Sequence, residues 1–218
     1  RQQNLSARSV ASAAQLSKAR RNDKVARANL ADAEVADRVE VLAMDVTDPG
    51  SVYDVFQQVD RWEAVAGERG RLIGVVNNAG IVPPRVDAEA MDMALWDAVQ
   101  AVNVRGVILC IKYAIPLLKK RQGTIVNLAS LSGIQGRRGH SPYSASKFAL
   151  RGFAGSLRAD EPSLRVTSIH PGRIATAMQE DLVAYEGRAY DPDQFLSTQT
   201  VARVTADAVN APRDAHIH

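Results

Sequence analysis

The chain has 218 residues, 46% of them hydrophobic and 23% charged, with a formal net charge of +3. This balance predicts one globular domain over 1–218 and carries too little surplus charge to imply a nucleic-acid partner. The single cysteine, Cys110, excludes an internal disulfide framework or a cysteine-built zinc site and suits a reducing cytoplasm; no apolar run is expected to reach bilayer length, and the opening RQQNLSARS lacks the apolar heart of a signal peptide, so no membrane association is expected.

Residues 1–37 are helical in flavour and poor in strand formers. After them, four runs rich in Val, Ile and Leu predict buried strands: RVEVLAMDV (38–46), RLIGVVNNAG (71–80), GTIVNLAS (123–130) and LRVTSIHPG (164–172). Their near-continuous apolarity fits parallel strands covered on both faces. Between them, 48–70 and 92–123 carry apolar residues at helical spacing with a glycine at or just past the end. GRRGH at 136–140 predicts a loop, and over 144–161 the stripe Ala145, Phe148, Ala149, Phe153 and Leu157 is expected to face the core. Strand and helix alternate, which predicts an open α/β sheet wound on both faces. In such sheets ligands bind beyond the carboxyl ends of the strands. That nominates Asp45, Asn77 with Asn78, Ser130, and His170 to Gly172.

Tyr143 and Lys147 lie four residues apart just after one of these strand ends. The spacing alone says little, since positions i and i+4 share a helix face whatever they do. It gains meaning from Ser130 thirteen residues upstream, Asn103 in the preceding helical segment and NNAG at 77–80. Together with DVTD (45–48), NVRG (103–106), IVNLAS (125–130), YSASK (143–147) and HPGRIAT (170–176), this ordered set resembles the short-chain dehydrogenase/reductase family from about residue 38 onward.

The resemblance implies a Rossmann-like doubly wound parallel sheet, a nicotinamide cofactor, and a small carbonyl or alcohol substrate. It assigns Tyr143 as acid-base, Lys147 as the cation that tunes it and bonds the nicotinamide ribose, and Ser130 as the group that orients the substrate oxygen. Asn103 would kink its helix and hold a water that relays protons from Lys147. Asp45 and Val46 would border the adenine, Asn77, Ala79 and Gly80 the adenosine ribose, and Pro171, Gly172, Ile174 and Thr176 the nicotinamide and phosphates. A tyrosine with an ordinary pKa near 10 needs its phenolate stabilised to work at neutral pH, and Lys147 with the oxidised cofactor is expected to lower it. Family members assemble as dimers or tetramers through the helices carrying Asn103 and Tyr143, so a homodimer or homotetramer is expected. The four histidines lack metal-ligand spacing, so no metal is expected.

The pattern also breaks. The family opens with a strand and a Gly-rich turn that holds the cofactor pyrophosphate. Here the first glycine is Gly50, so the expectation is a domain shortened at both ends that lacks its first strand and Gly-rich turn. This leaves a second reading open, a non-catalytic homologue serving as an interaction scaffold. Aligned from Asp45, Arg20 and Arg21 fall at the tip of the second strand, where they would favour NADP over NAD; another register nominates Arg8 instead. Substrate choice is expected to reside in 173–195, with Met178, Leu182, Tyr185, Tyr190 and Phe195 as an apolar lid.

Overall fold

A computed structural model of the chain describes residues 40–66, 72–212 and 215. Arg8, Arg20, Arg21 and the expected loss of a first strand lie outside the described residues. The chain divides into two units, Arg1–Ala43 and Met44–His218. Of the first, only 40–43 are described, and they have no regular secondary structure.

The second unit begins with an Asx turn at Asp45 and helix α1 (Pro49–Ala66), followed by strand β1 (Gly74–Asn77). Helix α2 (Met93–Gln100) runs without a break through a π turn (Ala101–Gly106) into α3 (Val107–Lys119). Strand β2 (Thr124–Leu128), α4 (Ser141–Asp160), β3 (Arg165–Ile169), α5 (Ala177–Tyr185) and α6 (Thr198–Asn210) complete it. The sheet order is β1-β2-β3, all parallel, with Asn77 opposite Asn127 and Asn127 opposite Ser168.

Period-two alternation along each strand sends Ile125 and Val166 to one face, where Val52 and Phe56 of α1, Ile111 and Leu118 of α3, and Leu150, Ala154 and Leu157 of α4 enclose them in one cluster. The other face is covered by α6: Val209 lies against Gly74, and Arg165 of β3 donates to the carbonyls of Val209 and Ala211 at 2.9 and 2.6 Å. Helices on both faces of a parallel sheet explain why the strand runs are nearly all apolar.

Three expectations need correction. Residues 40–45 of the first apolar run form no strand; a strand exists only through a neighbour's hydrogen bonds. On α4 the buried face is rotated from the expected one. Lys147, Leu150, Ala154 and Leu157 point inward, while Phe148 is 41% exposed and Ala149 is exposed. Finally, Met93–Lys119 is one continuous helix that is long and apolar enough by length and composition to cross a bilayer. Arg105 and Lys112 interrupt the run in the sequence, but the helix is unbroken, and Val107, Cys110, Ile111, Ala114, Leu117 and Leu118 bury its apolar side in the core.

Candidate active site

The carboxyl ends of β2 and β3, the π turn and the first turns of α4 bring most of the nominated residues together. After β2 the chain enters a short 3₁₀ turn whose N-cap is Ser130, the side chain accepting from Ser132 N at 3.1 Å. This turn can press onto α4 only because residue 133 is glycine: a Cβ there would lie 2.8 Å from the Lys147 carbonyl oxygen. The close approach sets the Ser130 side chain near enough to Tyr143 to favour its phenolate. Behind Ser130, the His170 Nδ1 lies 2.9 Å from its carbonyl oxygen, and Leu131 N donates to Pro171 O at 3.1 Å.

One turn along α4, Lys147 is 5% exposed and donates from Nζ to Leu128 O at 2.9 Å. Its ammonium lies 5.6 Å from the Tyr143 ring centroid. Burial lowers Lys147 from its ordinary 10.5 to about 8. Burial also pushes Tyr143 up, opposed by the Ser130 side chain. Taking both groups out of water penalises their charged forms, whereas the expected lowering of Tyr143 draws also on the positive charge of an oxidised cofactor. The protein alone holds Tyr143 as a neutral phenol, a proton donor.

Asn103 is fully buried at the centre of the π turn. Its Oδ1 accepts from Ile81 N at 2.8 Å, and its Nδ2 donates to Ile81 O at 2.9 Å and to Ser146 Oγ at 3.1 Å. Ser146 Oγ in turn donates to Tyr143 O at 2.7 Å. The extra residue of a π turn aims one side chain off the regular helical path, and here that side chain stitches the loop after β1 to the helix carrying Tyr143. Ser146, inside YSASK, was missed as part of this brace; its i+3 spacing from Tyr143 was the available signal.

The other nominated residues line the same end of the sheet. Asn77 Nδ2 donates to Asn127 Oδ1 at 2.9 Å, while the buried Asn127 Nδ2 has no partner among the described residues. Ala79 is exposed, and a Cβ on Gly80 would lie 3.5 Å from Asn103 Oδ1 and 3.8 Å from Lys147 Nζ, so glycine leaves open the space in front of both polar groups. The Asp45 carboxylate accepts from Thr47 N and Oγ1 at 2.8 and 2.7 Å, and Val46 packs on Gly106 of the π turn. Ile174 bridges to Leu196, Thr176 caps α5 by accepting from Gln179 N, and Gly172 is exposed.

The expected lid is only partly apolar. Tyr190 and Phe195 stack at 5.8 Å with Arg173 over the Phe195 ring at 5.1 Å, but Tyr185 is 69% exposed, and the buried residues of α5 are Gln179 and Val183. A cavity of about 580 Å³ lies at the opposite end of the strands, lined in part by Ile73, Thr124, Arg158 and Arg165; it contains none of the nominated residues.

A family model described as short chain dehydrogenase matches residues 4–187, starting well before the motifs read from residue 38 onward. Estradiol 17-beta-dehydrogenase 2 of Mus musculus is 34% identical over 143 residues, 65% of this chain and 36% of the relative. Cyclopentanol dehydrogenase of Comamonas sp. (strain NCIMB 9872) is 36% identical over 124 residues, 56% of this chain and 49% of the relative. The chain therefore spans about half or less of the length of these curated relatives. Among solved structures, ElxO with NADP bound superposes with a TM-score of 0.74 over 89% of this chain and 80% of its own at 23% identity, the likeness of a shared Rossmann fold.

Proposed function

Because the chain belongs to the short-chain dehydrogenase family, we propose that it is an NAD(P)-dependent oxidoreductase that interconverts a small-molecule carbonyl and a secondary alcohol. The observation that carries this reading is the closeness of the Ser130 side chain to Tyr143, whose phenolate it favours, with Lys147 buried one turn away. A carbonyl oxygen seated between the two hydroxyls is held by Ser130 and receives its proton from Tyr143, whose neutral phenol suits it to donate as the oxygen gains charge. Lys147 replenishes the phenol's proton, and Asn103 keeps the loop after β1 in register with α4 while its π turn holds the relay water. Alcohol oxidation reverses these transfers.

The cofactor fits the residues present: the opening in front of Gly80, bounded by Asn103 Oδ1 and Lys147 Nζ, is one that any side chain at 80 would narrow. When bound, a nicotinamide supplies or accepts the hydride. Asn77, Ala79, Gly80, Asp45, Val46, Pro171, Gly172, Ile174 and Thr176 would line it, with Lys147 on the ribose. Relatives in the fold bind NADP or NADH, as in ElxO with NADP and a 3-ketoacyl-(acyl-carrier-protein) reductase with NADH. NADP is the proposed preference through Arg20 and Arg21. The same reading makes the protein cytoplasmic and a homodimer or homotetramer.

Titration with NADPH and NADH, followed by nicotinamide fluorescence, tests the proposal. Saturable binding of either dinucleotide, with NADPH the tighter, is expected; binding of neither would favour the scaffold reading.

A further inference from the structure

At the end of α5, three guanidinium groups converge on one carboxylate. Helix α5 ends in a Schellman motif, with Gly187 at φ +66° and hydrogen bonds from Gly187 N to Ala184 O and from Arg188 N to Val183 O. This turn holds Glu186 inward, its side chain 14% exposed. Arg85 NH2 lies 2.9 Å from Glu186 Oε1, Arg173 NH2 lies 3.2 Å from the same oxygen, and Arg188 NH1 lies 3.5 Å from Oε2. The arginines come from the loop after β1, the loop after β3 and the residue past Gly187, so the cluster ties three segments together.

Arg85 also donates from Nε to His140 Nε2 at 2.7 Å. That nitrogen must therefore offer a lone pair, so the imidazole is neutral with its proton on Nδ1. Burial and Arg85 both hold the His140 pKa below the ordinary histidine value. His140 is the residue before α4 and sits one turn ahead of Tyr143. The cluster thus carries three positive charges against one negative, joined through His140 to the start of the helix that carries Tyr143.

A carboxylate accepts about four hydrogen bonds, while three guanidiniums offer about fifteen N–H groups. Some are used elsewhere: Arg173 Nε donates to Gln179 Oε1 at 3.0 Å, and Arg188 NH2 to Gln194 Oε1 at 3.5 Å. Arg173 also grips Glu186 with both NH1 and NH2, at 3.3 and 3.2 Å, so the donors left over belong mainly to Arg85 and Arg188, whose side chains are 52% and 51% exposed. Like charges held together around one anion favour a second, and the planar guanidinium fork matches carboxylate and phosphate oxygens. The Tyr190–Phe195 stack beneath Arg173 adds an apolar wall suited to the organic part of such a molecule.

We propose that Arg85, Arg173 and Arg188 form a recognition site for a carboxylate or phosphate on the substrate, making this an enzyme for anionic carbonyl compounds. The inference rests on the oxidoreductase reading for the carbonyl but not for the anion. Two pairs of probes test it on the whole chain: acetoacetate against methyl acetoacetate, and dihydroxyacetone phosphate against dihydroxyacetone. Binding is measured by calorimetry with NADP⁺ present, and turnover by NADPH oxidation.

At least one anion should bind about tenfold more tightly than its neutral partner, and the pair that shows the preference tells carboxylate from phosphate. Arg85→Gln should abolish the preference. Glu186→Gln removes the competing carboxylate and should strengthen anion binding severalfold. Equal affinity for both members of each pair would overturn the proposal, as would a Glu186→Gln variant that weakens anionic and neutral probes alike, which is the behaviour of a purely structural ion cluster. Anion preference without any NADPH oxidation would reject the oxidoreductase reading and leave this site standing. Oxidation of NADPH by neutral and anionic ketones at equal efficiency would do the reverse.

Discussion

Lys147 keeps its amine in surroundings that lower its pKa from 10.5 to about 8, with burial as the cause. An unfolded chain would hold that proton up to its ordinary pKa. Between about pH 8 and 10.5 the unfolded state therefore binds more protons than the folded one, and folding stability rises with pH across that window. Below pH 8 both states are protonated and the full cost of burying the ammonium remains, about 3 kcal/mol at this shift. Lys147→Met removes the term. Chemical denaturation as a function of pH should find the variant more stable than wild type at pH 7, the gap shrinking by about that amount as pH reaches 10.5. A gap independent of pH would mean that the amine stays charged in the fold. Tyr143 moves the other way: its pKa is raised by burial, so its contribution is lost only as pH climbs above the ordinary tyrosine value, outside most of the lysine window. Both residues were legible from the sequence as a pair one helical turn apart. Their desolvation was not, because it depends on what covers a side chain, and Gly133 lets the turn after β2 press on Lys147.

At the scale of elements, α4 shows why a periodic stripe can be read correctly and placed wrongly. The spacing of Ala145, Phe148, Ala149 and Phe153 is helical, and the segment is a helix from Ser141 to Asp160. Leu157 is buried and Phe153 packs against the core as expected, but the rest of the inward face is Ser146, Lys147, Leu150 and Ala154, because the polar residues that brace the site must enter the protein and turn the helix with them. Gly152 and Gly155 have nothing within 4 Å of where a Cβ would stand. The outer face is thus small, partly aromatic and open, which supports the proposed pairing of subunits through the helices of Asn103 and Tyr143. Sedimentation analysis should find wild type as a dimer or tetramer, and Phe148→Glu should weaken association about a hundredfold, roughly 3 kcal/mol. A wild-type chain that sediments as a monomer at micromolar concentration contradicts this. The π turn at Ala101–Gly106 was foreshadowed only as a kink at Asn103, since nothing in apolar periodicity separates a π turn from a regular helix. The strand runs at 71–80, 123–130 and 164–172 were readable from their nearly uninterrupted apolarity, which the structure buries most fully along the central strand β2 and leaves partly exposed at Val76 of the edge strand β1.

Across the whole molecule, the three strands end on a common edge, and each contributes there: Asn77 to Gly80 after β1, Ser130 after β2, His170 to Gly172 after β3. Helices α2 and α3 with their π turn, and α4, deliver Asn103, Tyr143 and Lys147 to the same edge. The topology was legible from the alternation of strand-like and helix-like segments. The Arg85–Glu186 cluster was not, since its four members are spread over more than a hundred residues and meet only because the loops after β1 and β3 and the end of α5 fold onto the head of α4. Proton transfer by Tyr143 is the claim on which the functional account stands. Its most direct test is NADPH-dependent ketone reduction by Tyr143→Phe, at a cofactor concentration that gives the same nicotinamide fluorescence as wild type. At matched occupancy the variant's turnover is expected to fall by about 10²–10⁴-fold; turnover within a few-fold of wild type would contradict proton transfer by Tyr143.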